Sequence, residues 1–260
     1  MRSLSSQAVE AIGKNHRVAK LTRMEKLQHL KPGHIKAYVE DMKAKGMSAG
    51  TMANCMTAVR AVCNAIGKAN IAVRDNAEYG IARDRMHPVK ANNDRIEQIR
   101  AELAFRAAKG DRNAMMMHAA AELRDAFGLR AKESLMSCKI VETARGIALQ
   151  IEGAKGGRPR DLDVRTDAQI KAVQLVAEVS QALGSPTGRI IPPELTLKQA
   201  YDKQRYQWSR LGGGKVTSSH MHAQRHDRFQ EMKRGGASNR EIMREAGHGE
   251  DRSPGHYIPK

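Results

Sequence analysis

His222, Arg225 and His226 stand close together in the stretch HAQRHDRFQEMKRG, and their spacing is the first hint of chemistry. Three residues apart on a helix, His222 and Arg225 share one face. Two donors aimed together suit an anionic oxygen, and the planar arginine fork matches a phosphate. Alone, such a pattern is commonplace in a basic chain. It gains weight from its surroundings: Arg130 and Glu133 in GLRAKES and Lys155 in GAKGGRPRDLDV upstream, His248 in EAGHG downstream, and Tyr257 nine residues after that. The chain has only five tyrosines, and Tyr257 stands three residues from its end, after glycine, proline, serine and charge.

Other motifs fall away on inspection. RLGGGKVTSS invites a phosphate-loop reading, but Ser209 stands where the first glycine should be and Val216 follows Lys215. It reads instead as a mobile loop ending in a Ser218/Ser219 helix cap. Ten histidines form neither H-E-x-x-H nor a convincing metal cluster, and Cys55, Cys63 and Cys138 have no zinc or disulfide spacing. No metal and no cofactor are expected. SNREIMREAG resembles half of a helix-turn-helix, with an ordinary capped surface helix as the competing reading.

The charge balance points to the partner. Lys and Arg number 45 against 28 Asp and Glu, a formal net charge of +17, and they are scattered over the whole chain. A basic folded body favours a polyanion, because each neutralised phosphate releases counterions; a merely basic soluble domain is the plain alternative. Aromatic residues are only 3%, too few for a platform that stacks single-stranded bases, so duplex is the better fit. No apolar run approaches the ~20 residues of a membrane span. MRSLSSQAVEAIGKNHRVAK has no apolar core of a signal peptide. A soluble, intracellular protein without membrane contact is expected.

These residues need a scaffold. Helical periodicity marks residues 1–78: a helix around SSQAVEAIGKNHRVA, another opening at Pro32 and closing at Gly46, and a third capped by Ser48. Residues 79–94 lose the periodicity and read as a linker. In 95–260, helices are expected at RIEQIRAELAFRAAKG, NAMMMHAAAELRDAFGL, DAQIKAVQLVAEVSQAL and TLKQAYDKQRYQWSRLG, then at HAQRHDRFQEMKRG and SNREIMREAG. Two alternating runs, around 147–151 and 162–164, flank Gly156 and Gly157 and predict a β-hairpin. The fold class is mainly α with a small antiparallel β-sheet, that is, α+β.

In this order and context the residues resemble the tyrosine recombinases, the phage-type integrases. That family shows a GLRxxE box, a KGGRxR hairpin, an HxLRH box and an LGH followed nine residues later by the nucleophilic tyrosine. Here they stand as Gly128-Leu129-Arg130 with Glu133; Lys155-Gly156-Gly157-Arg158 with Arg160; His222, Arg225 and His226; Gly247-His248; and Tyr257. HIKAYVEDMKAKGMSAGTMANCMTAVRAV is similar to the family's helical core-binding domain. Gln224 departs from the usual apolar residue of the HxLRH box.

The resemblance implies a mechanism. Tyr257 attacks a DNA phosphate and leaves a 3′-phosphotyrosyl link, which a 5′-hydroxyl then resolves. Arg130 and Arg225 take the non-bridging oxygens and His248 donates a further hydrogen bond. His222 accepts the phenol proton, because a tyrosine of ordinary pKa, ~10, needs activation. Lys155 protonates the leaving oxygen. Glu133 orients Arg130 or a neighbour, and His226 gives support. Arg60, Arg158, Arg160 and Lys215 are candidate DNA contacts. A C-shaped clamp of core-binding and catalytic domains is implied, acting on double-stranded DNA as a homo-tetramer and free as monomer or dimer. It would integrate or excise a mobile element. A recombinase-derived protein that binds DNA without cutting is the alternative. With only Ile258, Pro259 and Lys260 after it, Tyr257 is expected to be poorly anchored until DNA binds.

Overall fold

The computed structural model describes residues 27–82, 88–136, 139–153, 159–185, 189–248 and 254–258. The helix expected around SSQAVEAIGKNHRVA, and Lys155 and Arg158, lie outside these residues. The chain divides into two compact units, 1–85 and 86–260.

In the first unit, α1 (Pro32–Ala44) and α2 (Ala49–Ala65) pack their apolar stripes together. Pro32 suits the first helical turn, where its missing N–H is no loss. Ser48 caps α2 by accepting from the Thr51 N–H. Leu30, Ile35, Val39, Met42, Met56, Val59 and Cys63 are buried between them. Arg60, a candidate DNA contact, also fastens this unit: its Nε donates to the Val73 carbonyl at 2.8 Å and its Nη2 to Asn76 Oδ1 at 2.7 Å.

The 79–94 stretch expected to link the domains carries a few core anchors among its described residues. Tyr79 and Ile81 are buried in the first unit, and Val89 and Ala91 pack against the core of the second. The loss of periodicity was real, but irregular backbone also carries anchors.

The second unit is built around α4 (Arg112–Phe127), buried along most of its length because alanines let neighbours approach closely. Against it pack α3 (Asn93–Ala108), α6 (Asp167–Leu183) and the helix carrying the H-x-x-R-H box, α8 (Met221–Arg234). Met116 and Met117 fill this core, as a filler role for the Met triplet requires. The four-residue α5 (Glu133–Met136), α7 (Leu197–Arg210) and α9 (Asn239–Glu245) complete the α-helices of the described residues.

The sheet has three strands in the order β1-β2-β3, all antiparallel. β2 (Gly146–Ile151) and β3 (Arg160–Asp163) are the expected hairpin, with Leu149 opposite Leu162. β1 (Lys139–Thr143) was not expected; it pairs Ile140 with Leu149. Among the described residues no helix is long and apolar enough to cross a membrane.

Candidate active site

The site begins where α4 stops. Gly128 ends the helix at φ 63°, a left-handed turn that favours glycine. A Cβ there would also come within 3.2 Å of the Phe229 ring. The turn delivers Arg130 to the start of α5, and Glu133 reaches back three residues to accept from the Arg130 backbone N–H at 2.9 Å, as the acidic half of a capping box does. The same carboxylate takes the Arg130 Nη1 at 2.6 Å and both terminal nitrogens of Arg160 at 3.3 and 3.2 Å.

Glu133 is therefore no surface residue. Its side chain is 0% exposed, while that of Arg130 is 25% exposed and that of Arg160 only 8%. Burial alone would raise the Glu133 pKa; Arg160 foremost, then Arg130, overcome this and hold it at about 2. Arg160, expected as a DNA contact, is engaged within the protein. Its side chain is largely enclosed, its Nε donates to the Glu245 carbonyl at 2.9 Å, and it thereby ties β3 to α9 and, through the acid, to α5. It lies so close to Gly247, at φ 64°, that a Cβ there would sit 2.6 Å from Arg160 Nη1.

Arg225, on α8, is completely buried. Its Nη1 donates to the Gly128 carbonyl at 2.6 Å and its Nη2 to the Ala246 carbonyl. Its Nε donates to the Tyr257 hydroxyl at 3.1 Å. That hydroxyl lies 2.8 Å from His248 Nε2. Arg130 Nη2, which can only donate, lies 3.5 Å from the same His248 nitrogen. A bare Nε2 satisfies both neighbours: it accepts from Arg130 and from the phenol, whose oxygen in turn accepts from Arg225.

Tyr257 is docked, contrary to the expectation of a loose tail. It is 5% exposed and forms a small core with Phe229, Ile242 and Ala246, to which Ile258 adds. The Phe229 ring meets it edge-on at 4.9 Å. Its backbone carbonyl accepts from Gln230 Nε2 at 2.9 Å. A helical turn at Pro254–His256 leads into it.

The histidines divide differently from expectation. His248, not His222, is within hydrogen-bond reach of the phenol; the His222 ring centre is 6.1 Å from that of Tyr257. His222 keeps an exposed edge, yet its crowded surroundings, then His226 and Arg225, hold its pKa well below the ordinary value. His226 is buried, and its Nδ1 accepts from the Val89 N–H at 3.3 Å, leaving Nε2 to carry the hydrogen of the neutral ring. Burial first, then His220 and Arg225, push its pKa down to about 4.

Gln224, the departure in the H-x-x-R-H box, is buried and engaged at both ends of its amide. Its Oε1 accepts from Arg124 Nε at 3.0 Å, and its Nε2 donates to the Ala121 carbonyl at 3.2 Å and to Asp125 Oδ1 at 3.3 Å. Arg124 is a fully buried cation that the sequence reading did not single out.

The glycine loop before α8 is knotted rather than loose. Trp208 Nε1 donates to the Ser219 carbonyl at 2.7 Å, and the Ser219 hydroxyl pairs with Thr217. Neither Ser218 nor Ser219 caps α8; the cap position is His220, with no side-chain cap bond. Lys215 stands exposed on this turn. A cavity of about 470 Å³ opens beside the site, rimmed by Arg160, Arg240, Arg244 and His248. Among the described residues no cluster of histidine, cysteine and acid could hold a metal ion.

Acid should dismantle this site in two stages. His222 and His226 are held neutral in the folded chain, so below pH ~6.5 the unfolded chain binds protons that the folded one refuses, and stability starts to fall. Glu133 adds stability that is full above its unfolded value near 4.5 and is lost as the pH approaches 2. Urea midpoints at pH 7.5, 5.5 and 4 should decline throughout. A midpoint that stays flat from 7.5 to 5.5 contradicts the histidine half of this account.

Two family models match the chain. Residues 86–231 match the model described as integrase, and residues 7–72 match phage integrase, N-terminal. No curated protein matches. Solved structures give the fold. The XerH site-specific recombinase bound to difH, in its pre-cleavage complex, is 15% identical with a TM-score of 0.64 over 95% of this chain and 72% of that one. A lambda integrase dimer bound to a COC′ core site is 16% identical, TM-score 0.61, over 95% and 68%. The Tn1549 transposon integrase with transposon right end DNA is 14% identical, TM-score 0.51, over 95% and 92%. With the integrase model spanning more than half its length, the chain belongs to the phage-type integrases, the tyrosine recombinases.

Proposed function

We propose that this chain is a site-specific DNA recombinase that breaks and rejoins duplex DNA through a 3′-phosphotyrosyl link at Tyr257. The observation that carries the reading is the Tyr257 hydroxyl held between Arg225 Nε and His248 Nε2. A purely structural tyrosine has no need of a buried arginine at its oxygen and an imidazole ready for its proton.

The step balances with the residues at hand. The phenol proton passes to His248 Nε2, and Arg225 steadies the phenolate as it forms. The phenolate oxygen bonds to phosphorus, the bond to the 5′-oxygen breaks, and Lys155 gives that oxygen a proton. Arg130, the partly exposed arginine of the group, lies open to the non-bridging oxygens. Glu133 holds Arg130 in its plane and neutralises its neighbour Arg160. The 5′-hydroxyl of a partner strand runs the step backwards. Bond energy is kept in the phosphotyrosine, so no nucleotide is spent.

The net charge of +17 suits a duplex partner. Exchange between two duplexes needs one nucleophile per cleaved strand, so four copies on DNA, integrating or excising a mobile element, complete the proposal.

The test is covalent trapping on nicked duplexes taken from the flanks of the gene. The nick lets the 5′ fragment diffuse away, and the adduct should then accumulate and map to the peptide carrying Tyr257. Attachment at another residue sinks the assignment.

A further inference from the structure

Behind Arg225 and Glu133 lies a cation that the cleavage step does not use. Arg124, on the face of α4 turned into the core, is 0% exposed. Its Nε donates to Gln224 Oε1 at 3.0 Å and its Nη1 to Ser134 Oγ at 3.4 Å; its Nη2 has no partner. The guanidinium lies 4.9 Å over the Trp208 ring.

The two side chains it touches are adjacent in sequence to working residues. Gln224 precedes Arg225, and Ser134 follows Glu133. Ser134 Oγ also donates to the Ala131 carbonyl at 3.1 Å, in the turn just after Arg130. One buried fork therefore bridges the helix that presents Arg225 and the turn that presents Arg130 and Glu133. Gln224 completes the link as an adapter between charges. Its oxygen faces a group that can only donate, and its nitrogen faces Asp125, which Arg100 meets from the other side at 3.1 Å. This explains why the box departs from an apolar residue at position 224: leucine there would leave the Nε of a buried arginine without an acceptor.

We propose that Arg124 and Gln224 form a coupled pair of positioning residues that sets the registration of Arg225 against Arg130 and Glu133. The proposal rests on the cleavage reading above. It concerns geometry, and misplacement by about 1 Å in such a site costs on the order of a hundredfold in rate.

The experiment compares Gln224→Leu, Arg124→Met and the double variant. Adduct formation is timed at saturating nicked duplex, with DNA affinity measured separately and temperature kept well below unfolding for every variant. Gln224→Leu, which strands the buried guanidinium, should slow the adduct about a hundredfold with affinity nearly unchanged. Arg124→Met should slow it too. The double variant, which removes cation and amide together, should recover most of the rate. Unchanged rates in folded single variants, or a double variant as slow as the product of the two defects, overturn the pair. If wild-type protein forms no adduct, the cleavage reading fails and takes this role with it. If wild-type protein reacts and Gln224→Leu matches it, only the pair is lost.

Discussion

Tyr257→Phe is expected to form no covalent adduct with DNA under any condition in which the wild-type chain does so. The substitution deletes one oxygen, the one lying between Arg225 Nε and His248 Nε2. The other tyrosines cannot stand in: Tyr38 and Tyr79 are buried in the first unit, and Tyr201 and Tyr206 lie on α7. The ring stays, with its edge-on contact to Phe229 and its place in the small core between α8 and α9. Affinity for duplex should therefore barely move. Stability should drop by about 1–3 kcal/mol, because Arg225 keeps its charge in a buried place with its Nε unpaired. Gel analysis of trapped complexes, with a filter-binding control, reads both effects. Adduct from the Phe variant ends the nucleophile assignment, whatever its rate.

Glu133→Ala should be the most damaging substitution outside the nucleophile. Three arginines converge on this carboxylate: Arg130 at 2.6 Å, Arg160 through two nitrogens, and Arg225 at 4.0 Å. Removing the acid leaves Arg160 buried without its counter-charge, and breaking a buried pair in this way costs roughly 3–5 kcal/mol. Arg130 would also lose the contact that fixes its plane, so adduct formation should fall further than lost stability explains. Urea unfolding checks the first effect. Single-turnover cleavage at a temperature where the variant is folded checks the second. An unfolding free energy within about 1 kcal/mol of wild type, the size of an ordinary substitution, would show that the convergence does not stabilise the fold.

The sequence made some of this legible and hid the rest for physical reasons. α6 begins and ends where expected because both ends are signalled: Thr166 and Gln169 form a capping box, and Gly184 turns left-handed after Leu183. β1 carried a weaker signal, since Lys-Ile-Val-Glu-Thr mixes two apolar neighbours with charge and buries neither face fully. The enclosure of Arg160 and Glu133 was not legible for a common reason. Charged residues read as surface until the opposite charges that neutralise them are seen, and those arrive from distant parts of the chain. Arg124 is the strongest case. A lone arginine in AAAELRDAF looks exposed, yet it lies on the face of that helix turned into the core, while Glu122 and Asp125 keep partial exposure, and the amide at Gln224 was the visible trace of its partner. The spacing brought Tyr257 into the set with Arg225 and His248, which its hydroxyl meets, but its docking could not be read from GHYIPK because Phe229 and Ile242 supply the pocket.

The two carbonyls that Arg225 holds have a consequence for when the site exists at all. Gly128 lies 97 residues before it along the chain and Ala246 lies 21 after. One side chain thus closes a long loop and a short one at once, and neither closure is rewarded until both segments are already in place. Contacts of such long sequence separation form late, after local helices. The reactive constellation should therefore be a property of the finished chain alone. A chain partly melted around its C-terminal segment keeps every motif in its sequence and loses the geometry that joins them.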